Sequence, residues 1–257
     1  MSVSVNTVYQ KVLAVLNKEK RGYLPPNEFE YLANTAQLDI FEQYFYDINQ
    51  FSRIPGNNTE YGDVLTLLQE KVAIFEKTAA LGYDTVTERW VKPSDMYRFG
   101  SIFYDAPDPV GSYVLPTECE RVTRQEWLYV AASPLSGISK KHPVFIEHED
   151  GYDVYFGPNT AFDDGDGAGS ADEGALNKLK INYVRKPLPV KWTYTTVSNA
   201  PVYNASSVDK QDFELHASDE TELIFKILEL AGIALREPAI AQMGAQMDAQ
   251  KYQQEKS

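Results

Sequence analysis

The chain of 257 residues is poor in the residues that most chemistry needs. Its single cysteine, Cys119, can form no internal disulfide, and a buried inert thiol accounts for it more simply than a catalytic nucleophile lacking an activating partner. There are three histidines, His142, His148 and His216, and none is spaced as a pair of metal ligands on a helix. Each reads as a polar surface or structural residue. No Gly-rich phosphate loop, nucleophile elbow, kinase or zincin signature is present, so the sequence assigns no catalytic, cofactor-binding or metal-binding residue. Carboxylates are plentiful but scattered over loops and solvated helix faces, which is weak support for a hydrolase.

Long apolar runs are missing too. No stretch of about 18 apolar residues occurs, and the N-terminus lacks the basic-then-apolar order of a signal peptide. The expectation is a soluble protein without membrane contact, made and kept in the cytoplasm. Positive charge is also scarce: the net charge is -13 and no segment is basic. This balance argues against a dedicated nucleic-acid-binding surface built on phosphate neutralisation, and is compatible with an acidic wall past which DNA slides.

What is present is helical periodicity at both ends of the chain. The strongest signal runs from Phe213 to Pro238, with Ser218 as candidate N-cap, Asp219, Glu220 and Glu222 at the positive end of the helix dipole, and Pro238 as stop. Ile224, Ile227, Leu228, Ala231 and Leu235 share one face, which Leu223, Leu230 and Ala234 widen. So wide an apolar face requires partners on two sides, and helices near the N-terminus are the available ones.

Those helices read as 4–18, with Val5, Val8, Val12 and Val15 in register, and then a long one opening at Pro25-Pro26. Its aromatic end, FEQYFYDINQF, has helical spacing that core packing or a subunit interface explains without a stacked ligand. A third helix is predicted from Asp63 to Ala80, after the turn-rich RIPGNNTEYG.

From Asp84 the period shortens. TVTERWV, GSIFYDAP, EWLYVAASP, PVFIEHEDGYDVYFGP, LKINYVRKP and VKWTYTTV are short, β-branched or aromatic, and punctuated by turn residues. They predict an antiparallel sheet whose clearest hairpin spans His142 to Pro158. Within it, residues 163–174 form an acidic low-complexity loop. Placing Asp164 first and Asp166 third in a calcium loop leaves Ala168 at position five and Ala175 at position twelve, so two ligand positions fail and a hairpin loop is the better reading.

The fold expected is therefore α+β: a helical bundle formed by N- and C-terminal helices, an inserted antiparallel β domain and an extended C-terminal tail. The divisions fall at 1–82, 83–212, 213–237 and 238–257. The tail places Ile240, Met243 and Met247 at helical spacing among Ala, Gln and charge. It is either a frayed end or a docking element that orders on a partner.

Four stretches, VNTVYQKVLAVLNKEKRGYLPPNEFEYLANTAQLDIFEQYF, YRFGSIFY, LKINYVRKPLPVKW and FELHASDETELIFKILELAGI, resemble structural proteins of tailed phages. They are most similar to the head-tail adaptor (connector or ring) proteins of short-tailed and crAss-like phages. The resemblance implies a virion protein of the neck or tail, synthesised in the host bacterial cytoplasm, that joins the portal to the tail and forms part of the DNA channel. Its implied partners are copies of itself in a ring, commonly of twelve, the portal protein, tail or nozzle proteins, and passing double-stranded DNA bound without sequence specificity. The tail would then dock on the portal through Ile240, Met243, Met247 and Tyr252, and Asp163, Asp164, Asp166, Asp172 and Glu173 would face the channel. The competing readings are a β-rich ligand-binding or tail-fibre or tail-tube module and, with less support, a carboxylate-based hydrolase.

Overall fold

The computed structural model describes residues 3–18, 24–51, 64–107, 114–133, 137–139, 142–155, 179–198 and 200–234, together with 242, 245–247 and 249. It is an α+β protein whose chain divides into two compact units, residues 1–74 with 187–257 and residues 75–186. The sequence reading placed these divisions at 82/83 and 212/213.

The first unit is built on α1 (Val5–Lys18), α2 (Pro26–Phe51), α3 (Val64–Ala73) and a helix near the C-terminus, Glu220–Ala234, designated α5 in chain order. Apolar spacing decides what each buries. Val5, Val8, Val12 and Leu16 of α1 are fully buried. Leu16, which the spacing sets beside the valine stripe, is buried, and Val15 is half-buried at its edge. From α2 the buried set includes Phe29, Ala33, Ala36, Ile40, Phe41 and Tyr44, and from α5 Leu223, Ile227, Leu228 and Ala231. α2 packs against α3 and α5, and α1 against α5.

The return segment after Pro187 lies along α2 and is held by side chains at helical spacing. Asn34 Oδ1 accepts from Val190 N at 2.7 Å, Glu30 Oε1 accepts from Trp192 N at 3.0 Å, and Gln37 Nε2 donates to Leu188 O at 2.9 Å. Three polar residues on one helix face thus satisfy backbone groups of this segment, and an antiparallel bridge pairs Lys191 with Gln211. Gln37 is almost completely buried for this reason. The chain then forms a two-stranded antiparallel hairpin whose arms are Tyr194–Val197 and Ala200–Tyr203, and Val3 bridges to Phe213 at the closing end.

α5 begins at Glu220, one residue after the start that a Ser218 cap implies. A 3₁₀ turn at Ala217–Asp219 precedes it, capped by His216 and not by Ser218, with the His216 side chain accepting from Ser218 N. That turn draws Asp219 out of solvent altogether. Its carboxylate accepts from Tyr44 Oη at 2.5 Å and from Ser218 Oγ at 3.0 Å, and lies 2.8 Å from Lys71 Nζ of α3. The buried charge is paired and hydrogen-bonded as burial demands.

The second unit contains two sheets. One has four strands in the order β1 (Glu76–Ala80), β9 (Leu179–Arg185), β4 (Met96–Pro107), β5 (Val114–Glu118), all antiparallel. The other has the order β2 (Gly82–Asp84), β3 (Arg89–Val91), β8 (Gly151–Tyr155), β7 (Val144–Glu147), β6 (Glu120–Arg121). Trp90, Ile102, Phe145, Tyr152, Leu179 and Ile181 lie in the core these strands share. Cys119 belongs to the same core, and burial pushes its thiol up to about 12. It is buried, as the sequence suggests.

Three expectations need correction. The helix predicted to reach Ala80 stops at Ala73, and Glu76–Ala80 is a strand whose residues pair with Val184 to Lys180 of β9. A satisfied ladder outweighs the helical preference of KTAA. EWLYVAASP is helical: α4 (Arg124–Ala132) opens on Thr123, whose side chain accepts from Glu126 N while Glu126 reaches back to the Thr123 backbone. A capping box therefore overrides the β-branched and aromatic composition. Finally, β6 runs parallel to β7, since the connection between them contains α4 and reverses the chain. The hairpin expected at His142–Pro158 is present as β7 and β8 about the turn at His148–Asp150.

Among the described residues, glycine is required twice for close backbone approach. A Cβ on Gly100, at a register shift in β4, would come 2.6 Å from Asn182 O, and one on Gly151 would come 2.4 Å from Trp90 O.

Candidate functional site

The first candidate is the hairpin of the helical unit, β10 (Tyr194–Val197) and β11 (Ala200–Tyr203). Its register pairs Tyr194 with Tyr203, Thr195 with Val202, Thr196 with Pro201 and Val197 with Ala200. Alternation then sorts the side chains into two faces. One face is anchored: Trp192 stacks on Tyr194 at 5.7 Å and on Tyr203 at 5.8 Å, packs on Tyr9 at 4.5 Å, and donates from Nε1 to Asn6 Oδ1. The other face, Thr195, Val197, Ala200 and Val202, is exposed throughout. Ser198 takes φ 50°, the left-handed geometry of a tight hairpin turn.

A two-stranded ribbon in water is marginal by itself. Here the aromatic base holds it, while its second face presents β-branched side chains to solvent. No residue from Tyr194 to Tyr203 is charged.

The second candidate is α4. Trp127, Val130 and Ala131 rest on a small cluster of Val122, Ile138, Val144 and Ile146. The opposite stripe is Gln125, Leu128, Tyr129 and Ala132, at i, i+3, i+4 and i+7, and all four are exposed; Leu128 is 61% exposed and Tyr129 69%. Large apolar residues at helical spacing on the outer side are the reverse of what a solvated helix shows.

Near α4 the turn between β7 and β8 carries a charged group. Arg124 donates to His148 Nδ1 at 2.9 Å, His148 Nε2 lies 2.6 Å from Asp153, and Arg89 pairs with Asp153 at 3.3 Å. Arg121 and Lys92 both reach Glu147. These contacts tie α4, β3, β6, β7 and β8 together, which makes His148 a structural residue. His216 is the 3₁₀ cap, and His142 bridges to Ser139 and is exposed.

Besides a cavity of about 360 Å³ bordered by Phe99, Cys119 and Phe145, the described residues line two further ones. One of about 220 Å³ is lined by Tyr83, Arg89, Asp153 and Tyr155 among others; burial first, and then neighbouring carboxylates, hold both tyrosine hydroxyls above their ordinary range. The other, of about 600 Å³, is an open acidic cleft where Asp39, Glu42 and Tyr46 of α2 and Glu229 of α5 meet Ala245 and Ala249 of the tail.

No protein-family model matches the chain, and no curated protein matches it.

Of the residues singled out from the sequence, Met247 is described: it is helical and 38% exposed. Ile240, Met243 and Tyr252 lie outside the described residues, as do Asp163, Asp164, Asp166, Asp172 and Glu173 with the rest of the acidic loop. Both exposed faces escaped sequence reasoning. The hairpin was read as another strand of the β domain, and α4 as a strand, so neither showed its outward stripe. The capping signal T-x-x-E at Thr123–Glu126 could have revealed α4, after which Leu128 and Tyr129 fall on one side.

Proposed function

We propose that the protein is a structural subunit of a tailed-phage virion, a head-tail adaptor (connector) ring protein that joins the portal to the tail and surrounds part of the DNA path. The observation that carries this reading is the wholly exposed, uncharged face of the β10–β11 hairpin. A face of that kind on an ordered element is completed by association, and a subunit whose apolar surface lies outward is built for assembly. The resemblance of the N- and C-terminal stretches to adaptor proteins supplies the setting: copies of the chain in a ring, commonly twelve, with the portal on one side and tail or nozzle proteins on the other.

The acidic balance of the chain agrees with that setting. A wall of net negative charge lets double-stranded DNA pass without holding it, since binding phosphate requires the opposite sign.

The test is electron microscopy of the purified protein, alone and with portal, together with antibody labelling of virions. Closed rings and label at the neck are expected. A protein that stays monomeric with portal present and is absent from particles would end the reading.

A second reading rests on the cavity beside Tyr83 and Tyr155, where two aromatic rings flank the Arg89–Asp153 pair. That combination suits a hydroxyl-rich ligand in a binding module. Chemical-shift changes of those tyrosines on titration with mono- and oligosaccharides would favour it over the ring.

A further inference from the structure

We infer that the exposed face of the β10–β11 hairpin of one copy seats on the outer face of α4 of a second copy of this chain. The inference rests on the ring reading and specifies the joint between subunits.

Three observations select the occupant. The first is number. Closed rings use heterologous contacts, in which two unlike patches on each subunit meet head to tail. Among the described residues, where Tyr31, Leu67, Val86 and others are exposed as well, the hairpin and α4 supply two unlike patches, Thr195, Val197, Ala200 and Val202 on a strand pair and Leu128 with Tyr129 on a helix. They belong to different compact units of the chain.

The second is charge. Two copies of a chain of net charge -13 repel each other, and stable self-contact needs surface from which that charge is absent. The hairpin carries no charged residue from Tyr194 to Tyr203, and the outward stripe of α4, Gln125, Leu128, Tyr129 and Ala132, carries none either. A basic partner would be met by acidic surface, which both patches lack.

The third is shape. A strand pair with β-branched side chains on one face and a helix with a Leu and a Tyr at its centre form the two halves of an ordinary sheet-on-helix layer. Val197 and Val202 are diagonal neighbours on the ribbon and can straddle the ridge made by Leu128 and Tyr129. Tyr129 keeps its hydroxyl at the rim, as an interface tyrosine does.

Two paired variants test this, V197D/V202D on the hairpin and L128D/Y129D on α4. All four side chains are exposed in the subunit, so each variant should melt as the wild type does. Each should weaken self-association by at least roughly 100-fold, since two carboxylates would be buried without partners at every joint. Mixing the two variants is the decisive arm. The first retains a good α4 and the second a good hairpin, so a mixture should form 1:1 heterodimers by sedimentation and nothing larger. In addition, V202C with L128C in one chain should oxidise to a ladder of covalent oligomers, because Cys119 is buried and does not compete.

Wild-type rings that persist in either aspartate variant, or a mixture that stays monomeric, overturn this joint and leave the ring reading standing. A wild type that remains monomeric at every concentration, with portal present, overturns both.

Discussion

α4 and α5 are helices of the same protein with opposite economies of surface. α5 hides Leu223, Ile227, Leu228 and Ala231 completely or almost so, and it is made by what it packs against. α4 has no fully buried residue, yet carries Leu128 and Tyr129 on its outside. Apolar side chains therefore mean different things on the two. On α5 they report the chain's own core, and on α4 they lie on the exposed side of the helix.

The sharpest way to break this contrast is to place the same charge on each. Ile227→Asp should cost about 4 kcal/mol in urea unfolding, because a carboxylate would be buried with no partner. Leu128→Asp should change stability by less than about 0.5 kcal/mol, as surface substitutions do. Comparable losses from the two would show that α4 is as embedded as α5, and the contrast would fail.

The next largest effect is expected at the N-terminus of α5, where burial takes in a charge. Lys71→Met leaves Asp219 without its cation inside the helical unit, and should cost about 3 kcal/mol, the range for removing one partner of a buried pair. The Tyr44 and Ser218 hydroxyls still donate to the carboxylate, which keeps the loss below that of Ile227→Asp. A double cycle with Asp219→Asn separates the pair from its surroundings, and a coupling near zero would contradict the geometry.

These two helices also show what could be read in advance. α5 was legible because burial and period coincide: the residues that make the stripe are the residues that pack. α4 was not, because its sequence, EWLYVAAS, has the aromatic and β-branched content of a strand, and its helicity comes from a capping box and from the small cluster beneath Trp127. The end of α3 failed for a related reason. Residues 76–80 are strand only because β9, a hundred residues further on, supplies the ladder. The polar set Glu30, Asn34 and Gln37 was invisible as a device, since its partners are backbone atoms of residues 188–192. Of the candidate sites, the tail was visible as unspent apolar residues, whereas the hairpin and α4 faces emerge only when strand register and helix phase are known.

A smaller change tests the origin of α4. Thr123→Ala removes the hydroxyl that accepts from Glu126 N and donates to Glu126 Oε2, leaving the backbone N–H of residue 123 as that carboxylate's one contact with the cap, so about 1 kcal/mol should be lost. Because α4 buries so little, the loss should appear as local fraying. Amide exchange of Leu128 to Ala132 should accelerate severalfold while the strands β7 and β8 keep their protection. Uniform acceleration across the second unit would mean that α4 is part of its cooperative core.

The smallest effect is expected at the C-terminal tail, which extends the comparison to a third apolar stripe. Gln242, Ala245, Gln246, Met247 and Ala249 are all exposed, and Ala245 and Ala249 only border the acidic cleft formed with α2 and α5. A methyl group beside Asp39, Glu42 and Glu229 gains little burial and offsets no charge. Truncation after Glu237 should accordingly change unfolding by less than about 0.5 kcal/mol. Under the ring reading the same truncation should abolish binding to portal assemblies, since Ile240, Met243, Met247 and Tyr252 are the anchors proposed there and repetition around a ring multiplies each contact. Pull-down of portal by full-length and truncated protein, with melting measured on the same samples, checks both halves. A truncated chain that melts several degrees lower would place the tail with α5, as part of the core. One that melts normally and still binds portal would move the docking surface elsewhere on the subunit.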